Sequence, residues 1–410
     1  MRILHTSDWH LGKNLEGFSR LEEQEQFLEE LIEKIEENNI DLVIIAGDIY
    51  DNGNPPARAE NLFYNALKRI AKGGKRAVLV IAGNHDNPER LVAASPLAYE
   101  HGVILLGTPK SCALTGSFGG FEIVEAGEGY VEISIGNEKA VIITLAYPSE
   151  KRLNELLTKD LEETERRRSY SERVGELFSK LSDKYREDTI NLAVSHIFVA
   201  GGETTDSERP IQLGGSLTVD AEVLPEKAQY IALGHLHRPQ RVKGAKTKAY
   251  YAGSPLQYSK SEIGYSKCAY IVEVKAEEEA KVEELFFRNY KPIEVWKCNG
   301  VEEAIERCRE NSERNIWVYL EIKTDNYITQ EQIKQMKELK KDIIEIHPVI
   351  EGMEESAVDY ESFREKSMAE LFKEFYLKER KVDPSNEVMD LFLNIVMEGE
   401  EMDEAKETEN

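Results

Sequence analysis

Apolar positions along the first third of the chain switch between two periods. Residues 2–6 have the pattern of a short strand. A helix is predicted over 19–37, with Phe27, Leu28, Leu31, Ile32 and Ile35 at helical spacing behind a capping box of Ser19 and Glu22. Asn38-Asn39 stops it, and Leu42-Val43-Ile44-Ile45-Ala46 then forms a continuous apolar run, as in a strand buried on both faces. A second helix is predicted over 57–72, a break at Gly73-Gly74, and another buried strand over 77–82. This β-α-β-α-β order is that of an α/β core.

Beyond it the chain is strand-rich over 120–146, then helical and highly charged over 150–187, with Leu153, Leu156, Leu157 and Leu161 on one side. Strand signals return at 190–195, 229–233, 248–252 and 268–274. After about residue 290 a strand, helix, strand, helix order (293–297, 301–310, 316–322, 329–341) predicts a small α+β module. Two amphipathic helices follow between 362 and 397. The first carries Met368, Leu371, Phe372, Phe375 and Tyr376 behind a Ser367–Glu370 capping box. The second opens at Asp383-Pro384 and carries Val388, Met389, Leu391, Phe392, Ile395 and Val396. Residues 398–410 are acidic and expected to be disordered. Three units are therefore expected in the 410 residues: 1–288, 289–350 and 351–410.

Composition adds exclusions. With 41% hydrophobic and 31% charged residues the chain reads as a soluble globular protein. No apolar run reaches 18 residues, so no membrane span is expected, and Met1 leads straight into strand-like residues rather than a signal peptide. Cys112, Cys268, Cys298 and Cys308 lack metal-knuckle or redox spacing and read as reduced thiols of a cytoplasmic protein. The net charge of -25 argues against a nucleic-acid ligand. Residues 351–410, however, hold 19 acidic and 7 basic side chains, so about half of the imbalance lies in the tail. Bound divalent ions would also add positive charge where a phosphate must sit.

Candidate chemistry lies at the ends of the expected strands. Asp8-Trp9-His10, Gly47-Asp48, Gly83-Asn84-His85-Asp86, Ser195-His196 and Gly234-His235-Leu236-His237 each set ligand-type residues there, where α/β folds place their sites. Five of the eight histidines fall in these segments. Singly, Asp8-Trp9-His10 or Gly47-Asp48 would be an ordinary turn, and His-x-His is a weak signal. Five in order leave little room for a purely structural explanation. A phosphodiester is anionic and resists nucleophiles, and a pair of metal ions answers both difficulties. Such a pair needs a bridging carboxylate, for which Asp48 is the candidate. Carboxylate, imidazole and amide ligands without thiolate favour manganese or iron over structural zinc.

The ordered set resembles the calcineurin-like metallophosphoesterases. That resemblance implies a four-layer α-β-β-α sandwich and two divalent metal ions, Mn2+ first, with Fe2+ or Mg2+ as alternatives. It implies Asp8, His10, Asp48 and His237 as ligands of one ion, and Asp48, Asn84, His196 and His235 as ligands of the other. It gives His85 a catalytic role, protonating the leaving oxygen or stabilising the transition state. Protein phosphatases of the family carry an arginine in Gly-Asp-x-Val-Asp-Arg-Gly, whereas this chain has Asn52 there, within Gly47-Asp48-Ile49-Tyr50-Asp51-Asn52-Gly53.

Residues 1–12, 47–56, 196–210 and 253–258 are similar to the SbcD-type nuclease subunits, over about residues 1–290 and more loosely beyond. The Ser207-Glu208-Arg209-Pro210 loop and the Gly253-Ser254-Pro255 segment make this specific, since phosphoesterases in general need neither. Archaeal relatives place histidine where this chain has Asp51, which is given no catalytic role. The resemblance implies a DNA exo/endonuclease acting on double-strand ends or hairpins with an SbcC-type SMC-like ATPase. The ATPase would dock on about 362–397, and no Gly-x-x-x-x-Gly-Lys-Ser/Thr motif supplies ATP hydrolysis in this chain. It further implies a DNA-capping role for the small module, where Lys291, Lys297, Arg307, Arg309 and Arg314 either touch phosphates or form a solvated face. A homodimer through helices within 57–68 and 89–99 would make a heterotetramer with the ATPase. Two alternatives are a stand-alone phosphodiesterase of small nucleotides, active without a partner, and a metal-binding scaffold without turnover.

Overall fold

The apolar runs are strands buried on both faces, and their side chains divide between two cores by the two-residue period of a strand. In Leu42–Ala46, residues Leu42, Ile44 and Ala46 enter one core while Val43 and Ile45 enter another. Ala77–Ile81 divides in the same way. The computed structural model describes residues 1–153, 163–208, 217–324 and 328–349, with isolated positions between 371 and 392. Leu156, Leu157 and Leu161, the Arg209-Pro210 end of the loop and the acidic terminus lie outside the described residues.

The first sheet runs in the order Lys281–Phe286, Cys268–Glu273, Arg2–Thr6, Leu42–Ala46, Ala77–Ile81, Val103–Leu106. Its last four strands are mutually parallel, and the first two are antiparallel. The second sheet has eight strands, with Glu138–Leu145, Ile190–His196, Tyr230–Gly234 and Ala249–Tyr251 parallel at its centre. One core fills the space between the sheets, with Ile3, Ile44 and Leu79 facing Ile142, Val194 and Ala232. Helices Leu21–Glu37 and Ala57–Ala71 cover the outer face of the first sheet through Phe27, Leu31, Phe63 and Ile70. Helix Glu163–Leu181 covers the second through Tyr170, Val174 and Phe178. These are the four layers of an α-β-β-α sandwich. Among the described residues no helix is long and apolar enough to cross a membrane.

Three local expectations change. The Ser19–Glu22 capping box is not formed: the first helix begins at Leu21 with Arg20 at its N-cap and no side-chain cap. Phe18–Ser19 instead pairs with Asn14–Leu15 as a hairpin, which takes Ser19 out of cap geometry. Arg20 is buried on Glu23 and donates to the Gln257 carbonyl at 2.7 Å. Of the charged helix expected over 150–187, Glu150–Leu153 and Glu163–Leu181 are helical among the described residues, and it ends at Leu181, followed by a 3-10 turn at Ser182–Lys184. The small module gains a third strand, Ile343–Val349, parallel to Trp317–Lys323, itself parallel to Ile293–Cys298.

That module has two faces. Helices Val301–Glu310 and Gln330–Leu339 bury Ala304, Cys308 and Met336 against Trp296, Val318 and Leu320 on one. The other face sets Ile293, Trp317, Tyr319 and Ile344 on Leu15 and Phe18 of the hairpin. Trp317 also donates to Glu23 at 3.0 Å. In the tail, the ring of Phe372 stacks on Phe392 with centroids 3.9 Å apart, joining the apolar faces of the two expected helices.

Phe63 is fully buried, with ring contacts to Trp9 and Tyr50. Phe63→Ala is expected to lower unfolding free energy by about 3–5 kcal/mol, read by urea denaturation. A loss below about 1 kcal/mol would mean that this packing does not hold the outer layer.

Candidate metal centre

Five loops leave the carboxyl ends of strands in both sheets and converge. Arg2–Thr6 delivers Asp8 and His10, Leu42–Ala46 delivers Asp48, and Ala77–Ile81 delivers Asn84 and His85. From the second sheet, Ile190–His196 ends on His196, and Tyr230–Gly234 delivers His235 and His237. Asp8, His10 and His237 present ligand atoms within 4.8 Å of one another, and so do Asp8, Asp48 and His196.

The backbone carries strain at this point. Asp8 (φ 52), His10 (φ 46), Asp48 (φ 51) and His235 (φ 106) are four of the eight non-glycine residues with positive φ among the described residues. Such conformations cost on the order of 1–3 kcal/mol each, less for aspartate, and persist where surrounding contacts over-determine them. Here a short ladder locks the first two loops together: Asp8 N–H donates to Gly47 O, His10 N–H to Asp48 O and Leu11 N–H to Ile49 O, at 2.9–3.0 Å. The third loop is stapled on by Asp86, whose carboxylate accepts from the N–H groups of Ile49, Tyr50 and Gly83. Asp86 is thus spent on backbone, and burial pushes its carboxyl up to about 6.

Two glycines make the approach possible. A Cβ on Gly83 would lie 2.1 Å from Asp48 Oδ1, and one on Gly47, at φ +90, would lie 2.3 Å from the ring of His196.

Side-chain contacts fix which atoms face inward. His196 Nδ1–H donates to Ala46 O at 2.9 Å, which leaves Nε2 at 3.4 Å from Asp48 Oδ2 and 2.9 Å from Asn84 Oδ1. Asn84 Oδ1 also lies 2.9 Å from His235 Nδ1. His235 N–H donates to Asp8 Oδ1, and His85 N–H to Asp48 Oδ1. His10 Nε2 lies 2.9 Å from His237 Nε2 and 3.6 Å from Asp48 Oδ2. His85 donates from Nδ1 to Asp51 O at 2.6 Å, so its Nε2 faces Asp48 Oδ2 at 3.9 Å. The structure therefore brings all eight singled-out residues together. Asp51 joins them twice over: its carbonyl accepts from His85, and its carboxylate lies 3.7 Å from His10 Nδ1, so that His10, Asp51 and His85 also present ligand atoms within 4.8 Å of one another.

The donor set fits divalent cations. Carboxylates, an amide oxygen and imidazoles face one another, His10 Nδ1 is buried without a hydrogen-bond partner, and two imidazole Nε2 atoms point at each other. The electrostatics say the same. Burial pushes Asp8 up to about 8, aided by Asp48 and opposed by His196. For Asp48 burial works the same way, but His196 and His85 overcome it and hold the carboxyl well below its usual range. Burial opposes charge on His196, yet the neighbouring Asp48 raises it to about 9. Burial keeps His10 and His237 neutral, and takes His235 down to about 3. Near pH 7 both Asp8 and His196 thus favour their protonated forms.

Residues without a local sequence signal hold these groups in place. Gln24 donates to His10 O at 2.7 Å and Tyr258 to Trp9 O at 2.7 Å. Arg152 donates to the carbonyls of Gly83 and Asp86. Glu208, whose carboxyl burial raises to about 7, accepts from His237 N–H at 2.7 Å.

A ligand cluster of this kind, at the strand ends of an α-β-β-α sandwich, defines a calcineurin-like phosphoesterase, and that family matches residues 1–239. The type 5 capsule protein repressor C-terminal domain family matches residues 289–380. Over 407 residues the chain is 44% identical to the SbcD subunit of the SbcCD nuclease of Bacillus subtilis, covering 98% of this chain and 100% of that protein. The protein of the same name in Rhodobacter capsulatus is 35% identical over 268 residues, 65% of this chain and 64% of that one. The chain belongs to the SbcD-type nuclease subunits of the calcineurin-like phosphoesterase family. A solved dimetal phosphatase from Danio rerio aligns over 70% of this chain and 97% of that one, at 12% identity and a TM-score of 0.38, too loose a likeness to bear on the site.

Cations held by His196 and Asp8 would have to displace the protons that their raised values favour. Both groups are protonated below their raised values, so Mn2+ binding is expected to release protons near pH 7, with the release fading above about pH 9 and affinity falling as pH falls. Calorimetry in two buffers of different ionisation heat counts them. Binding without proton release at pH 7 would contradict this electrostatic account.

Proposed function

We propose that the chain is a metal-dependent DNA exo/endonuclease that processes double-strand ends or hairpins beside an SbcC-type SMC-like ATPase. The observation that carries this reading is the buried convergence of carboxylate, amide and imidazole groups from both sheets. Similarity along nearly the whole chain to the SbcD protein of the SbcCD nuclease supports the substrate and the partner. Asp8, His10, Asp48 and His237 would hold one ion, and Asp48, Asn84, His196 and His235 the other, with Asp48 common to both sets. Oxygen and nitrogen donors without thiolate favour Mn2+. Divalent ions bound there supply charge neutralisation at the phosphate and activate water near neutral pH.

The chain's own residues do the rest. Asp48 is fixed through the N–H of His85, and His196 through the carbonyl of Ala46, so the ligand geometry is set before substrate arrives. His85, anchored on Asp51 O through Nδ1, presents Nε2 toward the cluster. Acting as the imidazolium, with Nδ1–H kept on Asp51 O, it gives its Nε2 proton to the sugar oxygen as water's oxygen bonds to phosphorus and the P–O bond to the sugar breaks, leaving a neutral ring, a hydroxyl and a phosphate monoester.

The remaining units follow from the same reading. Residues 289–350 cap the DNA, and about 362–397 bind the ATPase, with the apolar residues Phe375 and Leu377 exposed there. The five cations singled out in the small module are already engaged: Lys291 with Asp342, Lys297 with Glu321, Arg309 with Glu306, Arg314 with Glu294, and Arg307 over the Trp296 ring. Contact with the DNA backbone by Lys291, Lys297, Arg309 or Arg314 therefore requires a phosphate to replace the carboxylate each now holds. Leu97, 70% exposed on Ser95–Glu100, supports a homodimer through that edge, and hence a heterotetramer with the ATPase. Such an assembly works in the cytoplasm.

On linear duplex DNA with Mn2+, His85→Ala is expected to slow nucleotide release about 10²–10⁴-fold while Mn2+ binding persists. A chain ending at Glu361 keeps its release. Cleavage of a simple phosphodiester but not of DNA would instead make the protein a small-nucleotide phosphodiesterase.

A further inference from the structure

His237 is gripped at its backbone and at its ring. Its N–H donates to Glu208 Oε1 at 2.7 Å, its carbonyl accepts from Lys267 Nζ at 2.9 Å, and its ring Nδ1 lies 2.5 Å from Ser207 Oγ. Ser207 donates its hydroxyl hydrogen to Glu262 Oε1. Glu262 is fully buried, and it accepts as well from Ser254, Ser259, the N–H of Tyr258 and the ammonium of Lys267, itself buried.

We propose that Ser207 and Glu262 form a relay that fixes the tautomer and orientation of the His237 ring, with Lys267 as its buried counter-charge. A hydroxyl whose only hydrogen goes to a carboxylate can only accept from the ring, so Nδ1 of His237 carries the hydrogen. Nε2 is then a bare lone pair, and it is this atom that lies 2.9 Å from His10 Nε2. His10 is compatible with this order: its Nδ1 makes no hydrogen bond and lies 3.7 Å from Asp51 Oδ1, while its Nε2 faces the bare Nε2 of His237. Metal-ligating histidines are commonly oriented by such donation from the other ring nitrogen, and losing the acceptor weakens metal binding. A buried ion pair adds little stability by itself, so Glu262–Lys267 is better explained by what it positions. The relay also joins the 205–208 loop to the 254–262 segment, because Glu262 receives donors from both.

The inference rests on His237 being a metal ligand, and the test separates the two. Mn2+ binding to the full chain is followed by the electron paramagnetic resonance of free Mn2+. His237→Ala is expected to lose one of two bound ions. Ser207→Ala is expected to weaken one ion about 10–100-fold, and Ser207→Thr, which keeps the hydroxyl, to restore it, with the melting temperature of the metal-free proteins unchanged. Both ions bound within about twofold of wild type in Ser207→Ala, while His237→Ala loses one, would overturn the relay alone. Unaltered binding in His237→Ala would remove the ligand reading and the relay with it. If Ser207→Ala does not fold, the ring nitrogen shifts of His237 in the metal-free wild type decide. Hydrogen on Nδ1 supports the relay, and hydrogen on Nε2 overturns it.

Discussion

Two carboxylates buried side by side cannot both stay ionised unless positive charge is brought to them. Asp8 and Asp48 are in this position, and the rest of the structure is organised around supplying that charge. Both lie at the ends of first-sheet strands, and each accepts a backbone N–H from another loop. His196 and His235 arrive from the second sheet, so the sandwich has to close before the ligands meet. Burial raises the Asp8 carboxyl to about 8 and the neighbouring Asp48 raises His196 to about 9, so near pH 7 both favour their protonated forms.

Closing the two sheets over this point requires backbone that ordinary strands and turns do not provide. Asp8, His10, Asp48 and His235 all sit at positive φ, and Gly47 and Gly83 stand where any side chain would collide with His196 or Asp48. The compensation is local and specific. Asp86 gathers three N–H groups from two loops, and the ladder between residues 8–11 and 47–49 fixes the other pair. Large buried groups stand behind it, with Trp9 packed between Phe27 and Phe63. Strain at the ligands is therefore sustained by the outer hydrophobic layer, which links packing to chemistry.

Much of this was legible because buried parallel strands and their ligand-bearing ends write themselves as contiguous segments. Leu42–Ala46 and Ala77–Ile81 announce themselves as apolar runs, and Asp48 and Asn84 follow directly. Edge strands do not. Lys281–Phe286 is half polar with no buried residue, and Ile343–Val349 is apolar only in part and contains a proline, so neither has the pattern of a buried strand. Ser19 carried a valid capping pattern, but pairing with Asn14–Leu15 overrode it. Glu262 and Lys267 were invisible for another reason. Their contacts reach His237 and Ser207, about 30 and 55 residues away in sequence, and no local pattern encodes such a meeting.

The central claim is that Asp48 bridges two cations at the junction of the sheets. Crystals grown with Mn2+ and measured at its absorption edge test it directly. The account predicts two anomalous peaks about 3.5–4 Å apart on either side of the Asp48 carboxylate. One peak alone, or peaks away from Asp48, would contradict it.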